Sequence, residues 1–259
     1  MPYRTRMVSF TRLLQWEEQK KNIQTQLETA SADALEDYEL CAPIPTPLQD
    51  IVCLGVNYHN HIAETADVID FTKKEAAVYF SKRVNRCTAP DGTIPHYDFV
   101  KMLDYEVELG VILKKDAFQV AVEHADDYIL GYTIINDVSA RDVQLKHQQW
   151  YLGKSLDGYT PMGPCIVTAD ELKDIQDLTI RCYVNEELRQ DSNTRYMITP
   201  VKEAICELSQ GMTLKAGTIL ATGTPGGVGM GMKPPVFLQT GDVIRCEIEG
   251  IGTLKNSVG

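Results

Sequence analysis

The chain has 259 residues, of which 44% are hydrophobic and 24% are charged, and its formal net charge at pH 7 is −11. This length can form one large domain, or one domain with a small appendage, and the composition excludes a disordered chain or a fibre. The excess of acidic residues argues against a nucleic-acid-binding protein and against binding to an anionic membrane, because both surfaces would repel the chain.

The seven cysteines are scattered along the chain and form no C-x-x-C pair. This usage is typical of free thiols in a reducing compartment rather than of a disulfide framework. No apolar run approaches the roughly 20 residues that a membrane-spanning helix needs, and the N-terminal stretch lacks the apolar segment of a secretory signal. We therefore predict a cytoplasmic protein that does not associate with membranes.

The first part of the chain differs from the rest. Residues 11–36 have high helix propensity, and they are followed by a segment in which Pro43, Pro45 and Pro47 cannot continue a helix. We predict a small N-terminal region over residues 1–48, an extended linker at its end, and the main domain over residues 49–259.

Short strands dominate the main domain, and helices are few. Strands are predicted at 51–56, 107–113, 132–138, 178–188 and 218–223, and a pair of strands joined at a glycine is predicted at 242–258. Helices are predicted at 60–80, 139–150 and 200–210, the last with Thr199 as N-cap, Pro200 in its first position and Gly211 at its end. Since helices do not regularly separate the strands, we expect an α+β, β-rich fold with mixed sheets rather than a doubly wound parallel sheet.

Three carboxylates lie on apolar strands or at their ends. Glu106 and Glu108 are two residues apart, so on a strand they share one face, and Asp137 ends an apolar run. Such neighbours repel each other unless solvent, a lysine or a bound cation neutralises them. An exposed strand is one interpretation. The other is a site for a hard cation such as Mg²⁺, Mn²⁺ or Ca²⁺, which prefer oxygen ligands.

His61 and Glu64 are three residues apart, so on a helical turn they lie on one face and can form a hydrogen bond. A carboxylate that holds an imidazole in one tautomer is the usual arrangement of a general base. The H-x-x-E pattern alone is more often a surface pair. His96, His124 and His147 lack such a neighbourhood and are interpreted as structural or surface residues.

Further polar groups follow the carboxylates. Arg141 and Gln144 share the spacing of one helix face, and Lys154 stands in a G-K-S segment that lacks the first glycine of a P-loop. A glycine-rich turn around residues 221–229 does not fit a dinucleotide-binding motif. It can still offer backbone N–H groups and the Thr224 hydroxyl to a substrate carboxylate.

Together these segments resemble the fumarylacetoacetate hydrolase family. The family patterns G-x-N-Y-x-x-H-x-x-E, E-x-E-L, N-D-x-S-A-R-D-x-Q, G-K-S-x-D, G-P and T-G-T-P-x-G-V-G correspond to residues 55–64, 106–109, 136–144, 153–157, 163–164 and 222–229. The resemblance is specific because the motifs stand in order over about two thirds of the chain. It implies a roll of mixed β-sheets and a homodimer, with a mobile segment over residues 60–80 that carries the His-x-x-Glu pair.

The resemblance also implies roles for single residues. Glu106, Glu108 and Asp137 correspond to the ligands of Mg²⁺ or Mn²⁺, with Ca²⁺ as a further alternative, and His61 and Glu64 to the pair that activates water. Lys154 corresponds to a catalytic group. The implied substrate-binding residues are Arg141, Gln144, Thr224, Lys82 and Tyr58. The sequence departs from the family where no proline follows Lys82 and where the stretch between Gln144 and Lys154 is short.

The implied activity is metal-dependent chemistry on a small anionic 2-oxo or β-diketo acid through a metal-bound enolate. Hydrolysis of a C–C bond in an acylpyruvate-like acid is favoured, because a water-activating His61–Glu64 pair suits it. Isomerisation of 2-hydroxyhepta-2,4-diene-1,7-dioate and decarboxylation of oxaloacetate use the same enolate and stay open. So does a binding protein that has kept the fold without turnover. A locally positive pocket, with Arg141, Lys154, Lys82 and the metal, is expected to attract the acid.

Overall fold

The computed structural model describes residues 40–65, 76–172 and 174–259. Residues 11–36, with their high helix propensity, lie outside these ranges, and so do residues 66–75 of the predicted mobile segment. In the described part of the chain, no helix is both long enough and apolar enough to cross a membrane.

Strands outnumber helices among the described elements. The strands are β1 (Ile51–Gly55), β2 (Val78–Lys82), β3 (Thr93–Ile94), β4 (Leu103–Asp104), β5 (Val107–Leu113), β6 (Ile129–Asn136), β7 (Ser139–Ala140), β8 (Met162–Thr168), β9 (Thr179–Val184), β10 (Glu187–Asn193), β11 (Ile219–Ala221), β12 (Val243–Ile248) and β13 (Gly252–Val258). The α-helices are α1 (His59–Thr65), α2 (Arg141–Lys146), α3 (Tyr151–Lys154) and α4 (Val201–Ser209), and short 3₁₀ helices span Val122–Tyr128, Thr194–Tyr196 and Gly229–Gly231.

The strands form two main sheets, both of them mixed. A six-stranded sheet has the order β2-β1-β11-β5-β6-β8, in which only the β1–β11 pair is parallel. A five-stranded sheet has the order β10-β9-β12-β13-β3, in which only β13 and β3 are parallel. The expected α+β, β-rich architecture is confirmed, and a doubly wound parallel sheet is excluded.

Burial explains the residue patterns of the strands. Every residue of β5 and β6 is buried, so both faces of this part of the six-stranded sheet are covered, and apolar residues occupy both faces of each strand. In β9 and β12 buried residues alternate with half-buried ones, as expected when one face of a sheet packs on the core. The main apolar core therefore contains side chains from both sheets.

Some predicted boundaries need correction. The segment at 178–188 is two strands, β9 and the start of β10, joined through Asn185 and Glu186, whose φ angles of 49° and 65° reverse the chain. The helix predicted at 60–80 is wrong at its end, because Val78–Lys82 is strand β2, paired with β1. The apolar and aromatic residues at 78–80 suit a strand better than a helix.

Two predicted helices also differ in detail. The segment at 139–150 begins with strand β7, continues as α2 and leads into the separate helix α3. Helix α4 begins one residue later than expected, with Pro200 rather than Thr199 in the N-cap position, and its C-cap is Gln210.

The end of the predicted N-terminal region packs against the main domain. Ala42 and Ile44 are buried in an apolar cluster with Ile51, and the carbonyl of Pro45 accepts a hydrogen bond of 2.8 Å from the N–H of Cys87. The division between residues 48 and 49 stays a prediction.

Candidate active site

Four chain segments meet at one edge of the six-stranded sheet. Strands β1 and β11 are parallel, so their carboxyl ends lie side by side, and β5 begins next to the end of β11 because that pair is antiparallel. Strand β6 ends beside the start of β5, where Val107 is paired with Asn136. Strand pairing therefore brings together motifs that are far apart in the sequence.

Glu106, Glu108 and Asp137 converge at this edge. Each offers one carboxylate oxygen to a group in which the oxygens all lie within 4.8 Å of one another, and all three residues are buried. Glu106 immediately precedes β5, and its backbone N–H donates to the side chain of Asn136 over 3.0 Å. The backbone N–H of Asp137 donates to the carbonyl of Glu106 over 2.8 Å, which locks the two segments together.

This carboxylate group fits a divalent cation. Burial, together with the charges of Asp137 and Glu106, raises the pKa of Glu108 well above its usual value. A cation between the three side chains would relieve that repulsion, and an all-oxygen donor set suits a hard ion. The residues present could therefore hold the metal that the sequence predicts.

Two lysines also neutralise the carboxylates. The Nζ atom of Lys154 lies 2.7 Å from Oε2 of Glu106 and 2.8 Å from Oδ2 of Asp137. The Nζ atom of Lys82 lies 2.5 Å from Oδ1 of Asp137. Burial opposes the ionisation of Glu106, but Lys154 and Arg141 outweigh it, so the pKa of this carboxyl falls to about 2.

Arg141 is held between two carboxylates. Its Nε donates to Oδ2 of Asp104 over 2.9 Å, and its Nη2 lies 2.6 Å from Oε1 of Glu106. Its Nη1 donates to Oε1 of Gln144 over 3.1 Å, so this amide is oriented with its oxygen toward the arginine. Asp104 received no role from the sequence. The sequence feature that could have identified Asp104 is its position two residues before Glu106.

The sequence predicts a pocket made locally positive by Arg141, Lys154, Lys82 and a bound metal, and the charges of the cluster show how much of this depends on the metal. Four buried carboxylates (Asp104, Glu106, Glu108 and Asp137) face three buried cations (Lys82, Arg141 and Lys154). With all of these groups ionised, the side chains alone carry one excess negative charge. The pocket is therefore not positive through its side chains, and a divalent cation is needed to reverse its sign.

Close packing of α3 on α2 places Lys154. A Cβ atom on Gly153 would lie 2.7 Å from the backbone nitrogen and from the Cβ of Gln144, so only glycine allows this approach. The next residue, Lys154, is thereby directed toward Glu106 and Asp137. The glycine of the G-K-S segment serves helix packing in this fold.

His61 and Glu64 form the expected pair on α1. The His61 Nδ1 lies 2.8 Å from Oε1 of Glu64, and the other oxygen of that carboxylate, Oε2, accepts the backbone N–H of Gly227 over 2.6 Å. A carboxylate partner at Nδ1 places the proton on that nitrogen and leaves Nε2 as the basic atom. His61 lines the same pocket as Glu106 and Glu108.

Aromatic side chains that the sequence did not single out form one wall of this pocket. The rings of Trp150 and Phe80 meet edge to face with centroids 5.1 Å apart. The indole also lies against Gly55, where a Cβ would be 2.2 Å from the ring. Periodicity could not reveal this wall, because its three residues come from separate parts of the chain.

The predicted polar residues divide into two groups. His61, Glu106, Glu108, Arg141, Gln144, Lys154 and Thr224 line the pocket. The remaining predicted residues do not line it. Glu64 and Asp137 contact the lining residues His61 and Lys154. Tyr58 and Lys82, predicted as substrate contacts, have other partners. Tyr58 is buried in the main apolar core, and Lys82 is engaged with Asp137 and the carbonyl of Val138.

Thr224 is committed to the fold more than expected. Its hydroxyl donates to the carbonyl of Val107 over 2.9 Å and accepts the amide of Gln190 over 2.7 Å. The single hydroxyl proton is thus used within the protein, so a substrate carboxylate would need another donor.

The fold and this site define an acid-lined enzyme pocket in a mixed β-sheet domain, and comparison with known proteins identifies its family. Residues 50–259 match the family described as fumarylacetoacetate (FAA) hydrolase C-terminal. The chain belongs to the fumarylacetoacetate hydrolase family, and it is an enzyme of this family.

Three relatives illustrate the range of this family. Oxaloacetate tautomerase YisK of Bacillus subtilis is 42% identical over 227 residues, which cover 87% of this chain and 75% of that protein. The solved structure of a fumarylacetoacetate hydrolase from Exiguobacterium antarcticum has a TM-score of 0.78 and 43% identity, covering 90% of this chain and 82% of its own. The 2-hydroxyhepta-2,4-diene-1,7-dioate isomerase from Mycobacterium marinum has a TM-score of 0.73 and 34% identity, with 89% and 81% covered.

These relatives confirm the family resemblance and the fold expected from the sequence. Their names include a hydrolase, an isomerase and a tautomerase, related to this chain at 43%, 34% and 42% identity. The class of enzyme, one that acts on small organic acids, is therefore established.

Proposed function

We propose that this protein interconverts the keto and enol forms of a small 2-oxo dicarboxylic acid such as oxaloacetate. The observation that carries the proposal is the His61–Glu64 bond of 2.8 Å, which leaves a basic Nε2 on a residue that lines the same pocket as Glu106 and Glu108. The name of the 42% identical relative, an oxaloacetate tautomerase, supports this choice of reaction.

The residues of the chain suit proton transfer at the carbon beside a carbonyl. The Nε2 atom of His61 takes the carbon-bound proton, and Glu64 stabilises the imidazolium that forms. The enolate oxygen then takes up a proton from solvent while His61 releases one, so that the two proton counts balance. Lys154 lies close to the carboxylates and stays charged, because Asp137 and Glu106 outweigh the effect of burial and raise its pKa. The positive charge of Lys154 stabilises the negative charge that develops on the substrate.

We propose Mg²⁺ as the ion at Glu106, Glu108 and Asp137, with Mn²⁺ and Ca²⁺ as alternatives. A bound divalent ion supplies Lewis acidity toward a carbonyl oxygen. Arg141 donates to the oxygen of the Gln144 amide, so the amide nitrogen points away from the guanidinium. This nitrogen is then available as a hydrogen-bond donor to the substrate acid. The wall of Trp150 and Phe80 limits the room beside these groups and favours a short substrate.

Hydrolysis of a C–C bond in an acylpyruvate-like acid, the reaction favoured from the sequence, is the second candidate. The 43% identity to a protein named as a fumarylacetoacetate hydrolase supports it. The same Nε2 would then deprotonate water rather than carbon. The two reactions differ in their products, since hydrolysis alone yields two smaller acids.

An assay of candidate acids with Mg²⁺ tests both candidates. Oxaloacetate, an acylpyruvate and a hydroxymuconate-type acid are supplied, and enol absorbance, CO₂ and cleavage products are followed. We expect rapid loss of the enol absorbance of oxaloacetate without cleavage products. His61→Ala should lower kcat by roughly 10²–10⁴ because the general base is lost.

The control is His124→Ala, which removes the exposed histidine of a matched i,i+3 pair with Asp127. This variant should keep the wild-type rate. Cleavage of the acylpyruvate by the wild type would favour hydrolysis, and release of CO₂ would favour decarboxylation. An unchanged rate in His61→Ala would rule out the dyad as the base. Failure to bind any divalent ion or turn over any acid would favour a binding protein that kept the fold.

A further inference from the structure

A glycine-rich turn contacts Glu64 at two points. Residues 227–231 form this segment, the glycine turn. At its start, the N–H of Gly227 donates to Oε2 of Glu64 over 2.6 Å. At its end, a Cβ on Gly231 would lie 2.5 Å from Cδ and 2.8 Å from Oε2 of Glu64. The carboxylate therefore occupies space that exists only because residue 231 has no side chain.

The glycine turn is itself anchored from the opposite side. The backbone N–H groups of Gly229 and Met230 donate to the two oxygens of Asp104, over 2.7 and 3.0 Å. Asp104 is completely buried and also accepts the Arg141 Nε. The turn thus has a rigid attachment on one side and holds the Glu64 carboxylate on the other.

Gly227 adds a further constraint on the shape of the turn. Its φ angle of +107° belongs to the region that favours glycine, and a Cβ there would lie 1.9 Å from the carbonyl oxygen of Arg189. The direction of its N–H toward Glu64 is therefore set by backbone packing.

We propose that the glycine turn sets the orientation of the Glu64 carboxylate, and through it the nitrogen on which His61 carries its proton. Gly231 and Gly227 are positioning residues in this arrangement, and Asp104 is their anchor. The catalytic meaning of this device rests on the proposed function, whereas the orientation of Glu64 and His61 can be measured without any substrate.

Gly231 offers the sharper test because its backbone is outside the left-handed region. An alanine there meets the end of the Glu64 side chain rather than a rigid backbone. The carboxylate is the group that must move, and we expect its displacement to break its 2.8 Å bond to His61 or its 2.6 Å bond to Gly227.

The experiment compares Gly231→Ala with Gly211→Ala, a control in which the added Cβ has no atom within 4 Å. The ¹⁵N chemical shifts of the His61 imidazole, assigned with His61→Ala, report which nitrogen is protonated in the Mg²⁺-loaded protein. We expect the Nδ1–H form in the wild type and in Gly211→Ala, and its loss in Gly231→Ala. Turnover should fall roughly 10²-fold or more in kcat, with KM little changed and a shifted pH profile.

The double variant Glu64→Ala/Gly231→Ala establishes the route of the effect. If Gly231 acts through Glu64, the double variant has the kcat of Glu64→Ala alone, because the clash has nothing left to displace. If Gly231→Ala by itself does not fold, the double variant should restore folding for the same reason. A further fall in kcat in the double variant, or no recovery of folding, would overturn the inference.

Retention of the Nδ1–H form in Gly231→Ala would also overturn it, whatever the reaction. If the tautomer is lost as expected but no acid is turned over by the wild type, the proposed function fails while the positioning role stands. The two conclusions are thus tested separately.

Discussion

At the scale of single residues, buried ions decide the character of the site. Lys82 and Lys154 are both almost completely buried, and each lies within 2.8 Å of a carboxylate oxygen of Asp137. A buried charge without a partner is costly, so the members of this cluster depend on one another. The sequence predicted that Lys82 and Lys154 lie near the substrate, but their main contacts are with the buried carboxylates of the cluster.

Lys82→Met tests this dependence. The substitution keeps an apolar stem of similar length but leaves Asp137 with one cation fewer. We expect the free energy of unfolding to fall by about 3–5 kcal/mol, the cost of breaking a buried ion pair on one side. Urea unfolding followed by circular dichroism measures it.

Lys202→Met is the matched control, because Lys202 pairs with Asp126 on the surface. An exposed pair contributes below about 1 kcal/mol, so this variant should unfold close to the wild type. An equal loss of unfolding free energy in both variants would show that burial does not increase the contribution of the Lys82–Asp137 pair to stability.

At the scale of elements, strand pairing and helix packing assemble the pocket. The ends of β1, β6 and β11 and the start of β5 supply the carboxylates and lead into α1 and the glycine turn. The strands at 107–113 and 242–258 were predictable, because long apolar or alternating runs specify strands strongly. The partner of each strand was not predictable, because pairing depends on contacts between distant segments.

The contact of α3 with α2 gives an element-scale prediction. Gly153→Ala would force the Cβ against Gln144 and move α3 outward, carrying Lys154 away from Glu106. We expect a destabilisation of about 1–3 kcal/mol from overpacking, with a lowered kcat. Thermal unfolding and the oxaloacetate assay measure the two effects.

Gly211→Ala again serves as the control, since nothing lies near its added Cβ. Its stability and kcat should match those of the wild type. If Gly153→Ala also behaves like the wild type, the close approach of the two helices does not position Lys154.

At the scale of the whole molecule, the negative charge of the protein repels the proposed anionic substrate. The chain carries a formal charge of −11, and the buried side chains of the site add no net positive charge to attract an anion. A divalent ion would change the sign of the pocket without changing the rest of the surface. Binding of the acid is therefore expected to depend on the ion.

Calorimetry tests this dependence. Oxaloacetate should bind in the presence of Mg²⁺ and bind more weakly, by about tenfold or more, after EDTA treatment, because the site then has no net positive charge to attract the anion. Adding back Mg²⁺ should restore binding, whereas Na⁺ at the same ionic strength should not. Equal affinity with and without the divalent ion would contradict the proposed role of Glu106, Glu108 and Asp137.

The sequence by itself determined the fold class, the position of several strands along the chain and the candidates His61, Glu64, Glu106, Glu108 and Asp137. It could do so because strand patterns are local and because the motifs keep their residue types and spacing. Tertiary structure decided what each side chain touches. It placed Lys82 and Tyr58 behind the pocket, Asp104 under Arg141, and Gly231 against Glu64, contacts between segments that no local pattern encodes.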